Sequence, residues 1–392
     1  MPGKNQNRSR QFAHNPRTLG CVDKADLDRL LNQLAELDGS DLHIKAGAPP
    51  RMRIAGALRT MDNEASFTAE ETLAIAEAIM KPSVFETFTE YREADFAYGL
   101  LGTGRFRVNA YYQRSSVALA MRRVKGTAAT VSELGLPEVV TRLAEEMRGL
   151  VLVTGPTGSG KTTTLASMID HINHTRSCHV VTIEDPVEYL HTDDMAAIDQ
   201  REVGFDTNSF ASAMRVMLRQ DPDVILIGEM RDPETVSAAL TAAETGHLVF
   251  STLHTINATE TINRIVDFFP PHQQQQTRVS LAGSLKGIIC QRLIPTADGK
   301  GRVPALELLV VNGRIQQAII DPLLTGDIES IVADGEYYGM LTFDQSLVTL
   351  VGNGTISLAE AMGTATNSHD LKVMLERKGI LQTGQFAATG IS

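Results

Sequence analysis

The residues best placed to do chemistry are Gly155, Pro156, Thr157, Gly158, Ser159, Gly160, Lys161 and Thr162, whose order and spacing match a phosphate-binding loop. Glycines at this spacing let the backbone curl so that successive N–H groups point at a β-phosphate, which also sits at the positive end of the following helix. Lys161 would reach the β- and γ-phosphates, Thr162 would offer its hydroxyl to Mg²⁺, and Thr163 completes the nucleotide-contacting set. ATP and Mg²⁺ are the expected ligands. A second signal is the apolar run Val224, Ile225, Leu226, Ile227, which ends in Gly228 and Glu229. In many phosphate-loop enzymes an Asp here holds the metal and a Glu orients the attacking water. Gly228 occupies the Asp position, so the metal would rely on Thr162, phosphate oxygens and water, helped by Glu184 or Asp185, while Glu229 serves as general base.

Two further segments, 181–189 with Glu184 and Asp185, and 246–255 with His247 and His254, are each expected to close a strand with polar groups on the same side of the sheet as the loop. A strand over 150–154 must feed the loop, and short apolar runs at 179–183, 224–227 and 248–252 alternate with helical segments. That alternation predicts a parallel sheet covered by helices. Upstream, Leu27, Leu30, Leu31, Leu34 and Leu37 read as a helix, 41–45 and 51–54 as strands, 70–80 as a helix, and 104–111 and 117–122 as strands. Strand period places Arg105 and Arg107 on one face, with Phe106 and Val108 on the other. The division expected is a flexible tail over 1–22, an α+β domain over 23–124, a linker and helix over 125–147, and an α/β nucleotide domain over 148–310. A helical region over 311–380, with a helix at 312–320 and two more after it, and a flexible tail over 381–392 complete it.

Composition narrows the class. With 392 residues, 43% of them hydrophobic, the chain can bury two cores. Acidic residues outnumber basic ones 47 to 36, and a net charge of −11 provides no footprint for a polyanion, so nucleic acid is not an expected partner. Cys21, Cys178 and Cys290 are too few and too scattered for a disulfide framework or paired zinc ligands, which points to a reducing compartment. No run reaches the roughly 18 apolar residues of a membrane span, and no apolar core follows the basic N-terminus. A cytoplasmic protein, or one peripheral to the inner face of the cell membrane, is expected.

Taken in order, the four segments resemble the Walker A, Asp box, Walker B and His box of the secretion ATPase superfamily, the hexameric motors of type IV pili and type II secretion. The resemblance runs from about residue 25 to 375. It implies a RecA-like ATPase domain with a smaller PAS-like N-terminal domain and a C-terminal helical extension. It also implies Glu229 as catalytic base, a missing Asp at Gly228 as a family trait, Glu184 as a second acid near the metal, and His247 and His254 near the phosphate and the subunit boundary. Arg105, Arg107 and Arg122 would neutralise phosphate charge when the first domain closes over nucleotide. An arginine so placed is worth on the order of 10³ to 10⁵ in rate in other phosphoryl-transfer enzymes.

Within that superfamily, extension and type II secretion ATPases usually carry a four-cysteine zinc insertion after the His box, where this chain has Cys290 alone. The stretches 339–347 and 354–361 resemble the tail of PilT-type retraction ATPases, and 40–44 and 291–294 agree. The family's AIRxxI-like segment is replaced by 313–319, in which Arg314 remains. The resemblance therefore implies a homohexamer that hydrolyses ATP at an inner-membrane pilus platform protein and powers pilus retraction. Alternatives are an extension or type II secretion ATPase, a nucleic-acid translocase, which DNA-stimulated hydrolysis would reveal, and a regulator that binds ATP without cycling.

Overall fold

Four leucines at helical spacing, Leu27, Leu30, Leu31 and Leu34, give the first helix a buried stripe on which the first sheet of the protein is laid. The structure, a computed structural model, describes residues 24–381 apart from 62, 125 and 127. The tails expected over 1–22 and 381–392 lie outside the described residues, Leu381 excepted. The chain divides into two compact units, Met1–Val124 and Lys125–Ser392.

In the first unit the elements are α1 (Lys24–Glu36), β1 (Asp41–Lys45), β2 (Arg51–Ile54), β3 (Ala57–Thr60), α2 (Ala69–Ile79), α3 (Pro82–Tyr91), β4 (Glu93–Leu100), β5 (Gly104–Gln113) and β6 (Ser116–Arg123). The strands form an antiparallel sheet in the order β3-β2-β1-β6-β5-β4. Phe106, Val108 and Ala110 of β5 join Leu42, Ile44, Met121 and the α1 leucines in one core. Arg107, between them in sequence, is exposed. The α2 helix starts where Thr68 and Glu71 exchange the two hydrogen bonds of a capping box. The structure adds β3, β4 and α3 to the elements legible in the sequence; β3 is exposed along its whole length and so has no apolar alternation to betray it.

The second unit contains α4 (Glu138–Ala144), β7 (Gly149–Thr154), α5 (Lys161–Thr175), β8 (His179–Glu184), β9 (Ala197–Glu202), α6 (Phe210–Met217), β10 (Val224–Ile227), α7 (Pro233–Glu244), β11 (Leu248–Leu253), α8 (Ala258–Asp267) and α9 (Pro271–Ser284). It continues with β12 (Leu285–Pro295), β13 (Arg302–Val310), α10 (Gly313–Ile320), α11 (Ile328–Ala333), α12 (Phe343–Gly352), α13 (Leu358–Thr364) and α14 (Ser368–Arg377). Its sheet has the order β13-β12-β7-β11-β10-β8-β9, with only β13 antiparallel to its neighbour.

Every residue of β7, β10 and β11 is buried, because helices cover both faces of the sheet. Leu150 and Leu152 pack into the layer of α6 to α10, while Val151 and Val153 pack against α4 and α5. This is the RecA-like α/β sandwich, and it carries a C-terminal helical cluster formed by Phe343, Leu347, Leu371 and Leu375 with Ile294 and Ala305.

Two expectations for this part need correction. Among the described residues four α-helices follow α10, not two: α11 is followed by three short helices that the caps Thr342, Ser357 and Asn367 begin. The sheet is also wider than the strands read from sequence, since it includes β9, β12 and β13. The β12 strand follows α9 directly at Leu285, with no connecting loop between helix and strand to separate the two periodicities.

Candidate nucleotide site

All the parallel strands run the same way, so the segments leaving β7, β8, β10 and β11 emerge along one edge of the sheet. There they line a cleft of about 610 Å³. Thr157, Gly158, Gly160, Lys161, Thr162, Thr163, Glu184, Asp185, Gly228, Glu229, Arg231 and His254 all line it.

The loop between β7 and α5 has left-handed or similarly glycine-only backbone at Gly155 (φ 140°), Gly158 (φ 77°) and Gly160 (φ 92°). A Cβ at Gly155 would collide with the backbone oxygen of Gln291, and one at Gly160 would lie 2.7 Å from the Gln291 amide nitrogen. Gln291, buried on β12, is the brace beneath the loop. Its Nε2 donates to the Ser159 carbonyl at 2.6 Å, and its Oε1 accepts from the Thr164 hydroxyl at 2.8 Å. Sequence reading did not single it out as a site residue; the available signal was an amide that directly follows the apolar run Ile288, Ile289 and Cys290. The Gly160 cap makes no side-chain hydrogen bond to α5, which leaves the first N–H groups of that 15-residue helix directed at the loop.

Lys161 Nζ donates to the carbonyls of Gly155 at 2.7 Å and Pro156 at 3.1 Å. Burial lowers its pKa, against the opposing charges of Glu229 and Glu188. The hydroxyls of Thr163 and Tyr189 are 3.0 Å apart. These features fit a polyphosphate: an uncapped helix start, three glycines at positive φ, two of them with no room for a Cβ, and one lysine.

Glu229 follows β10, whose end is clamped to β11 by the Ser251 hydroxyl on Ile227 O and the Thr252 hydroxyl on Gly228 O. A Cβ at Gly228 would stand 3.2 Å from Ile183 O and 3.4 Å from Glu184 Cα, so an aspartate there would crowd β8. The Glu229 carboxylate is held at one oxygen by Arg231 Nη2, at 2.7 Å, and at the other by His254 Nε2, at 3.1 Å. Partial burial works to raise its pKa, but Arg231 and then His254 outweigh burial and hold it below the ordinary carboxylate value. Glu184 differs: it is buried, accepts from Thr182 at 2.7 Å and Gln200 at 3.1 Å, and burial pushes its pKa up.

The structure moves His247 away from this group. It precedes β11, and its carbonyl accepts from Gly149 N at the start of β7, the end of the sheet opposite the loop. Its Nδ1 lies 2.9 Å from the carbonyl of Ala242. The six residues of β11 separate it from His254, roughly 20 Å of strand. Arg105, Arg107 and Arg122 belong to the first unit. There Arg107 and Arg122 are cross-strand partners on β5 and β6, and Arg122 Nε pairs with Asp41 Oδ1 at 2.8 Å. Burial works against the Asp41 charge, but Ser40 and Arg122 outweigh it and keep its pKa low.

A glycine loop between a central parallel strand and a helix, faced by a glutamate at the end of a nearby strand, defines a P-loop ATPase on a RecA-like sheet. Residues 102–330 match the family described as Type II/IV secretion system protein. The twitching motility protein of Neisseria gonorrhoeae is 42% identical over 351 residues, covering 90% of this chain and 93% of its own length. The type IV pilus retraction ATPase PilT of Pseudomonas aeruginosa is 44% identical over 336 residues, covering 86% and 97%. The crystal structure of the pilus retraction motor PilT with bound ADP is 46% identical with a TM-score of 0.80, covering 89% of this chain and 99% of that one. The chain belongs to the type II/IV secretion system protein family, and the PilT-type resemblance read from its motifs holds across nearly its whole length.

Proposed function

We propose that this chain is the Mg²⁺-dependent ATPase of a six-membered ring that powers type IV pilus retraction. The observation that carries the reading is the convergence of Lys161, Thr162 and Glu229 on one cleft, in a chain that aligns along most of its length with a twitching motility protein and a pilus retraction ATPase. The N–H groups of the loop and of the first turn of α5 would hold the phosphates, with Lys161 beside the terminal ones. Thr162 would give its hydroxyl to Mg²⁺, and Glu184 would orient water on that ion. When bound, the ion supplies charge neutralisation at the transferring phosphate. Glu229 would take the proton of the attacking water. Arg105, Arg107 and Arg122 would add positive charge from the first domain of a subunit closing over nucleotide. His254 would sense the same phosphate through Glu229.

Hydrolysis would then open and close domain pairs around the ring, at the cytoplasmic face of an inner-membrane pilus platform protein. No helix among the described residues is long and apolar enough to cross a membrane. The test replaces the chromosomal copy with Glu229→Gln and counts surface pili. Excess pili that no longer retract are expected, whereas bare cells would make the protein an extension ATPase. The purified protein should also run at six times the monomer mass with ATP and Mg²⁺, and a monomer under those conditions would overturn the ring.

A further inference from the structure

Arg231 has no part in the functional reading above, yet it forms part of the wall of the cleft. Its backbone is fenced in: Met230 N donates to Thr252 O, and Asp232 caps α7 by accepting from Thr235 N at 2.8 Å. The side chain, by contrast, is 61% exposed while its guanidinium reaches Glu229 at 2.7 Å. Together with Glu229 and His254, Arg231 separates the main cleft from a second cavity of about 320 Å³ beside α8. Three basic side chains bear on this carboxylate from different sides: Lys161 from the phosphate loop, Arg231 from the segment after β10, and His254 from the segment after β11. Arg231 also feels the charge of Asp185, at the end of β8.

A carboxylate with a donor on each oxygen is a poor base, and a guanidinium engaged on a carboxylate is not available to a phosphate. The same planar fork suits either anion, so one can displace the other. A triphosphate in the loop would bring its terminal phosphate to Lys161, only one carboxylate away from Arg231. We propose that Arg231 is a triphosphate-reading residue: parked on Glu229, it transfers to the γ-phosphate, and that exchange releases Glu229 to act on water. A diphosphate does not reach it, so Glu229 stays restrained after hydrolysis until the nucleotide is replaced. Because only the side chain must rotate about a fixed backbone, the exchange needs no movement of the strand.

This inference rests on the reading of the cleft as an ATP site with Glu229 as base, and the test separates the two. Calorimetric titration of the full chain with Mg²⁺ and either ADP or the non-hydrolysable analogue AMP-PNP would be run on the wild type, Arg231→Met and Arg231→Lys. The expected result is an AMP-PNP affinity about tenfold weaker in Arg231→Met, ~1.4 kcal/mol, with ADP affinity within about twofold and part of the loss recovered by Lys. Equal weakening of both nucleotides, or no change in either, would overturn the role of Arg231 while leaving the ATP site standing. A wild-type protein that binds neither nucleotide would instead remove the reading on which the inference depends.

Discussion

At the floor of the cleft, the loop from Gly155 to Lys161 is fixed by glycine backbone and by the buried amide of Gln291. At the rim, Arg231 and His254 are 61% and 51% exposed and hold Glu229 only by the tips of their side chains. The floor has no conformational freedom to spend, as suits a site that must present preorganised N–H donors to phosphate. The rim has just the freedom that a change of partner requires, since exposed side chains rotate on fast timescales about a fixed backbone. Binding and switching are thus assigned to different layers of one cleft.

The comparison breaks most severely where the floor is touched. Gly155→Ala places a methyl group against the backbone oxygen of Gln291, on a strand held on both sides, where no side chain can give way. A loss of about 3 kcal/mol or more is expected, among the large effects of single substitutions, measured by urea denaturation, together with lost nucleotide binding. Gln291→Leu keeps the volume but strands the Ser159 carbonyl and the Thr164 hydroxyl. At about 1–3 kcal/mol for each unsatisfied buried group, it should destabilise the second unit by roughly 2–3 kcal/mol and weaken ADP and AMP-PNP alike, which distinguishes a floor residue from Arg231.

The smallest expected effect separates the two histidines. His254→Ala should lower turnover by about tenfold, the value of one lost charge-assisted contact. His247→Ala, at the far end of β11, should change turnover by less than about twofold, since it removes a local contact worth about 1 kcal/mol. A steady-state assay of the two variants side by side checks this, and equal losses would show that His247 acts on the chemistry after all.

The loop was legible because its glycines, Lys161 and the preceding apolar strand are contiguous and each is required by the local backbone. Glu229 was legible for a similar reason, as the acid that ends a short apolar run. The two histidines looked alike in sequence, seven positions apart, until the six residues between them proved to be one extended strand with an end on each side of the sheet. Gln291 was invisible as a site residue because it lies 131 positions after Gly160 and reaches the loop only through the pairing of β12 with β7.

The sequence by itself determined that a phosphate loop opens a helix, that apolar strands alternate with helices, and that an acid closes one of those strands, because backbone conformation and apolar periodicity are local properties. Only the tertiary structure decided which side chains meet. The order β12-β7-β11-β10-β8 places Gln291 beneath the loop and brings Glu229, Arg231 and His254 together across β10 and β11. That order is set by burying both faces of the sheet at once, a requirement of the whole unit that no local stretch of residues contains.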